Sequence, residues 1–184
     1  LKEIQKQEHR MIRLAKTADL DSVEAIYNKI HAKEKAGTLT VGWTEGIYPV
    51  RKTAEDALNA GTLYVLEEDG KIYASAILNQ YQLPEYKMVT WKTPAEDSEV
   101  LVMHTLTVDP DQGGKGYAKQ MISFYDKMAR DAGCKVLRID TQSKNVNARA
   151  MYKKLNFTEV GIVSTSIFNG ISQIELVMLE RPVL

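Results

Sequence analysis

The chain has one cysteine, Cys134, in 184 residues, which excludes an internal disulfide and any zinc site built from several cysteines. Histidine is scarce as well. His9, His31 and His104 are far apart in sequence and do not replace the missing ligands, so no metal is expected. There is no surplus of charge of either sign, with 24 basic side chains against 24 acidic ones. A protein whose main partner is a phosphate backbone carries a basic excess, so no nucleic acid partner is expected. Long apolar runs are also absent. The longest are strand-length, such as Ala74–Leu78, far short of the roughly 20 residues that cross a bilayer. The opening Leu1-Lys2-Glu3-Ile4 has no signal-peptide core. These absences describe a cytoplasmic chain with no membrane partner. No repeat, low-complexity tract or Pro/Gly-rich linker interrupts it, so residues 1–184 read as a single domain.

What is present alternates between strand and helix signals. Residues 11–16 read as a first strand, and Thr17 or Asp19 then caps a helix with Leu20, Val23, Ile26, Tyr27 and Ile30 on one face. Gly37–Pro49 is loop-like. Thr53-Ala54-Glu55-Asp56 has the form of a capping box, which starts a short helix to about Asn59. Thr62–Glu67 and Lys71–Asn79 flank Glu68-Asp69-Gly70, a hairpin turn signal. A polar stretch from Gln80 to Ser98 contains an expected edge strand at Tyr86–Trp91. A buried strand Val100–Val108, a helix Gly116–Ala132 stopped by Gly133, a strand Lys135–Thr141, a helix Asn145–Asn156 and two strands near 157–165 and 172–180 follow. The expected order is βααβββαβαββ, a mixed α/β domain.

The strongest chemical signal is Val108-Asp109-Pro110-Asp111-Gln112-Gly113-Gly114-Lys115-Gly116-Tyr117-Ala118. A strand ends, three glycines fall within four residues, and a helix begins at once. Glycine admits positive φ and lets a ligand approach the main chain. The free N–H groups and dipole of a helix start attract an anion, and a pyrophosphate would fit there. Lys115 is followed by Gly116, so this is not the Gly-x-x-x-x-Gly-Lys-Ser/Thr phosphate loop. Nor is it Gly-x-Gly-x-x-Gly with an acidic residue at ribose distance, which sets ATP and NAD aside.

The run resembles motif A of the GNAT N-acetyltransferase superfamily, Val-x-Pro-x-x-Arg/Gln-Gly-x-Gly-x-Gly/Ala, with Val108, Pro110, Gly114, Gly116 and Ala118 on matching positions. Gly113 stands where the family has Arg or Gln, and Gln112 stands one place early. A second stretch, from Asn145 through Ala148 and Tyr152 to Phe157, resembles the family's Asn-x-x-Ala-x-x-x-Tyr-x-x-x-Gly-Phe, with Asn156 in place of Gly. The likeness is firm over 100–160. It implies a mixed, mostly antiparallel sheet of six or seven strands flanked by about four helices. Strands near 100–108 and 135–141 would splay to admit acetyl-CoA as co-substrate. It also implies transfer of an acetyl group to the amine of a small molecule or peptide in a ternary complex, and it allows a homodimer joined through sheet edges. The residues implied to hold acetyl-CoA are Leu106, Thr107, Val108, Gln112, Gly113, Gly114, Lys115, Gly116, Tyr117, Ala118, Asn145 and Tyr152. The two departures leave a second reading, a non-catalytic acyl-CoA-binding or regulatory module of the same fold.

Such a transfer needs a neutral amine, a polarised thioester carbonyl and a proton for the leaving thiolate. Tyr152 is the expected general acid, and the resemblance implies main-chain N–H groups of Leu106–Val108 as the carbonyl donors. His104 is the expected base, because its ordinary pKa suits proton removal near neutrality. Regular alternation puts His104, Leu106 and Val108 on one face of the strand. Glu99 and Asp140 are alternative bases. Cys134 is expected to pack rather than react. Trp43, Tyr48, Tyr86 and Trp91 are candidates for the acceptor wall.

Overall fold

The computed structural model describes residues 10–168 and 171–184, which leaves His9 outside it. Seven described strands form one sheet: β1 (Arg10–Leu14), β2 (Leu63–Glu68), β3 (Lys71–Asn79), β4 (Val100–Val108), β5 (Val136–Gln142), β6 (Thr158–Phe168) and β7 (Ile171–Pro182). Their spatial order is β1-β2-β3-β4-β5-β7-β6. Every pair is antiparallel except β4 with β5. Four helices, α1 (Leu20–Lys35), α2 (Arg51–Asn59), α3 (Tyr117–Asp131) and α4 (Val146–Lys154), complete the expected element order.

The helical periodicities close the two faces of the sheet. On α3, Met121, Ile122, Tyr125 and Ala129 are buried against Ala74, Ala76, Leu78, Leu101, Met103, Leu137 and Ile139, and Tyr152 and Phe157 of the α4 region join that cluster. On the other face, Leu20, Val23 and Tyr27 of α1 meet Ala54 and Ala57 of α2 over Leu63 and Val65. The β2–β3 turn is formed by Asp69 and Gly70, both at positive φ (50° and 78°), as a tight hairpin demands.

Three local expectations give way. The α2 helix starts at Arg51, three residues before the Ala54 that a Thr53 cap implies. Thr53 acts inside its first turn, its hydroxyl accepting the Val50 N–H at 3.1 Å. Tyr86–Trp91 is not an edge strand, because Pro84 opens a short 3₁₀ turn over Pro84–Met88. That connection lies on the sheet, with Tyr86 buried among Val100, Val102, Val136, Leu176 and Met178. Two buried charges fasten it. Glu180 accepts the N–H groups of Lys92 and Thr93 at 2.8 and 2.9 Å. Arg138 donates to Gln82 at 2.6 Å and stacks 4.2 Å from the Trp91 ring centre. Alternation along β4 also breaks. Between the pairs Ser75–Thr107 and Ile77–His104, β4 carries one residue more than β3. Thr105 takes φ 50° within this bulge, a strained value for a β-branched residue. Leu106 and Val108 consequently pack with Leu101 and Met103, not on the face of His104.

Candidate active site

The β4–β5 ladder runs from Val100–Val136 to Met103–Ile139 and stops. Beyond it the β5-facing main chain of β4 has no partner strand, and the two strands splay as expected. A cleft of about 540 Å³ opens there, a size that suits a small-molecule site. Met103–Pro110, Asp140–Gln142, Asn145, Ala148, Met151 and Tyr152 line it, together with Trp43, Tyr48, Tyr81 and Leu83 from the covering loops.

The glycine loop sits at one end of this cleft. Gly114 and Gly116 have φ of 80° and 79°, so both positions need glycine. Gly116 is the N-cap of α3, and no side chain caps the helix. The first helical bond runs from the Gln120 N–H to the Gly116 carbonyl, so the N–H groups of Tyr117, Ala118 and Lys119 have no acceptor one turn back. A helix start of this kind attracts anions. Gly113 differs, with φ −58° and ψ 152° and nothing within 4 Å of where a Cβ would stand. The backbone there would accept the family's Arg or Gln. Gln112 ends a short turn whose Asp109 carboxylate accepts the Asp111 N–H at 3.0 Å. Asp109 and Asp111 would repel a pyrophosphate, but Lys29 of α1 bonds both, at 2.8 and 3.2 Å, and Lys33 bonds Asp111 at 2.8 Å.

Side chains of the residues expected at the cofactor divide into several roles. Tyr117 is buried, bonded to Glu68 and stacked on Tyr73, so only its N–H faces the loop. Lys115 is exposed, 6.0 Å from the Tyr73 ring centre. The Thr107 hydroxyl is engaged with Ser75 at 2.7 Å, which leaves its main chain. Asn145 caps α4 by accepting the Ala148 N–H at 3.1 Å. Asn156, in place of the family's Gly, has φ 65° just past α4, a left-handed conformation that asparagine tolerates.

The proton-handling candidates separate sharply. Tyr152 is 5% exposed and faces the cleft from α4, and its hydroxyl makes no hydrogen bond among the described residues. Burial, with the nearby charge of Asp140, holds its pKa well above the ordinary value. His104 lines the cleft, but burial drives its pKa down to about 4. Its Nε2 lies 3.1 Å from both Asn79 Oδ1 and the Tyr81 carbonyl, two acceptors, so Nε2 carries the hydrogen and donates to them. Glu99 is at the far end of β4, paired with Lys135 at 2.6 Å and held low by it, which removes it from the cleft. Cys134 is also at that end, buried, with a raised pKa.

Asp140, an alternative base in the sequence analysis, also lines the cleft. It stands on β5, one residue past the last β4–β5 pair. Burial pushes its pKa up to about 6, although the Tyr86 hydroxyl donates to it at 2.9 Å and works in the opposite direction. A signal for it existed: a carboxylate at the carboxyl end of a central strand is where α/β sheets place ligand-handling groups. Of the four expected wall aromatics, Trp43 and Tyr48 line the cleft, edge to face at 6.0 Å. Tyr86 instead supports Asp140, and Trp91 lies under Arg138. Among the described residues no group of three His, Cys, Asp or Glu side chains is arranged to hold a metal ion, and no helix is long and apolar enough to cross a membrane.

The acetyltransferase (GNAT) family model matches residues 23–157, and the chain belongs to that family of acetyltransferases. The uncharacterized N-acetyltransferase YycN of Bacillus subtilis is 25% identical over an alignment covering 63% of this chain and 85% of that protein. A GNAT-family acetyltransferase from Streptococcus agalactiae has the same fold, with a TM-score of 0.77 at 21% identity, covering 94% of this chain and 95% of that one. The fold also matches yncA of Salmonella typhimurium, solved with its cofactor acetyl-CoA, at TM-score 0.67 and 18% identity over 95% of this chain and 94% of the other.

Proposed function

We propose that this protein transfers an acetyl group from acetyl-CoA to a primary amine by direct attack, with Asp140 as base and Tyr152 as acid. The observation that carries the reading is their placement on opposite faces of the splayed sheet. Tyr152 packs in the α3–α4 face, whereas Asp140 bonds Tyr86 in the opposite layer, and both line the same cleft. The cradle residues fit the co-substrate: positive φ at Gly114 and Gly116 and an uncapped helix start are what a pyrophosphate bound by main-chain N–H groups requires.

Asp140 is favoured over His104 by basicity. A carboxyl at about 6 is ionised at neutral pH yet more basic than an ordinary aspartate, whereas an imidazole at about 4 is a weak proton acceptor. The Asp140 carboxylate accepts a proton from the incoming ammonium. Acetyl-CoA supplies the acetyl group as a thioester: nitrogen bonds to the carbonyl carbon, and the carbon–sulfur bond breaks. The main chain of Leu106–Val108, on the unpartnered edge of β4, polarises the carbonyl oxygen. Tyr152, kept protonated by its surroundings, donates to the sulfur. Two protons leave the nitrogen, one reaches the sulfur, and one is released to solvent. His104 then shapes the wall and holds Tyr81.

The test is thiol release from acetyl-CoA in the presence of a panel of amines, with Tyr152→Phe as the control. Amine-dependent release that drops at least tenfold in the variant is expected. Unchanged turnover in Tyr152→Phe would remove the tyrosine from the mechanism. Acetyl-CoA binding without release for any amine would restore the non-catalytic reading.

A further inference from the structure

The acceptor side of the cleft has a chemistry of its own. Its wall is formed by Leu39, Val41, Trp43, Tyr48, Tyr81 and Leu83. Among the described residues, no lysine or arginine lines the cleft. Its ionisable groups, tyrosines aside, are Asp109, Asp140 and His104. Asp109 is already matched by Lys29, and burial keeps His104 neutral. Among the described residues lining the cleft, Asp140 therefore remains the only uncompensated charge, and the carboxylate of Glu85 deepens the negative field around it.

The wall is also built in advance. One carboxylate, Glu34 of α1, accepts three successive main-chain N–H groups, from Val41, Gly42 and Trp43, at 3.2, 2.5 and 3.2 Å. Gln142 of β5 donates to the Gly42 carbonyl. A Cβ at Gly42, whose φ is 94°, would stand 2.0 Å from Gln142 Oε1. Gln142 lies two residues from Asp140 on the same strand, hence on the same face of β5. The aromatic wall and the base are thus locked in register by a single strand, and binding pays little ordering cost.

We infer that the acceptor is a primary amine on an apolar, ring-sized body with no acid group of its own. This rests on the amine-acetylation reading above. The ammonium is attracted by Asp140 and by the rings of Trp43, Tyr48 and Tyr81 that line the cleft, while the body replaces water against apolar walls. An acceptor with a carboxylate or phosphate would bring a second anion beside Asp140 without a cation to meet it. A polyamine would leave its further ammonium groups among apolar side chains.

A matched pair tests this directly: 2-phenylethylamine and phenylalanine differ only in the α-carboxylate. Each is titrated calorimetrically into the protein saturated with CoA, alongside spermidine, and each is then assayed for thiol release with acetyl-CoA. Phenylethylamine is expected to bind at least tenfold tighter than either of the others, and Trp43→Ala should remove most of that advantage while leaving CoA affinity within twofold. Equal or tighter binding of phenylalanine or spermidine to the wild-type protein would overturn the inference. If phenylethylamine is preferred in the titration but releases no thiol, the ligand class stands and the proposed reaction falls.

Discussion

On the proposed donor side of the cleft the groups available are main-chain N–H donors at a helix start, gathered within one continuous stretch from Gln112 to Lys119. On the proposed acceptor side they are side chains brought from distant segments: Trp43 and Tyr48 before α2, Tyr81 and Tyr86 after β3, and Asp140 on β5. The first kind of site depends on which residues permit a backbone conformation. The second depends on burial and charge, and a single polar atom can govern it. Substitutions on the donor side should therefore change affinity for acetyl-CoA, whereas those on the acceptor side should change turnover and its pH dependence.

The largest effect is expected at Asp140. Asp140→Asn keeps the shape and an acceptor for Tyr86 but removes the proposed base. With acetyl-CoA affinity unchanged within twofold, kcat/KM should fall by about 10²–10³, the usual range for loss of general-base catalysis. Wild-type kcat/KM should rise with pH through about 6, and the variant should lack that limb. Stability should move the other way. The folded-state pKa lies above the ordinary 3.8, so the folded chain binds this proton more tightly than the unfolded one. The stabilisation from Asp140 is present below about 3.8 and is lost as pH rises through about 6. At pH 7 the variant is then more stable, by on the order of 1–3 kcal/mol, and below pH 4 it has no advantage. Thermal melts at pH 4 and pH 7 check the sign, and equal activity of the two proteins would return the base to His104.

The donor side is probed by two glycines of the loop, Gly116 and Gly113. Gly116→Val forces a β-branched residue to φ 79°, where L-residues lose roughly 1–2 kcal/mol or more. Acetyl-CoA affinity should weaken about 10- to 100-fold, read by titration. Gly113→Arg should do the reverse. Its backbone is extended and its Cβ direction is open, so the guanidinium can reach a bound phosphate without disturbing the loop. A tightening of about 3- to 10-fold is expected, and weaker binding would mean that Gly113 itself is required.

The same contrast decides what could be read from sequence. The element order, the loop and the α4 motif were legible because each is carried by local pattern: strand alternation, helical spacing, glycines before a helix; the β4–β5 splay has no such pattern and was implied only by the family resemblance. The bulge at Thr105 was not legible. It is set by a mismatch between β3 and β4, and it moved Leu106 and Val108 to the face of Met103. The aromatic and apolar residues of Tyr86–Trp91 suggest an edge strand, but they satisfy burial, Tyr86 over Val102 and Trp91 under Arg138, not a ladder. The proposed choice of base turns on the same limit. Histidine starts near neutral pKa and aspartate does not, but burial moved them past one another, His104 to about 4 and Asp140 to about 6. Burial is a property of the assembled chain.

Tyr86 provides the finest test of that inversion. Its hydroxyl stabilises the Asp140 carboxylate and so holds the pKa lower than burial alone would leave it. Tyr86→Phe removes the donor but keeps the ring packed under Trp91, 5.3 Å away between centres. The Asp140 pKa should then rise, and the acid limb of kcat/KM should move to higher pH by up to about one unit, the worth of a modest hydrogen bond to a charged group. At pH 8, above both limbs, turnover should fall only two- to fivefold, and acetyl-CoA affinity should not change. A purely structural tyrosine would lower turnover at every pH without moving the limb. A shift to lower pH would mean that Asp140 is not the group that titrates in the rate.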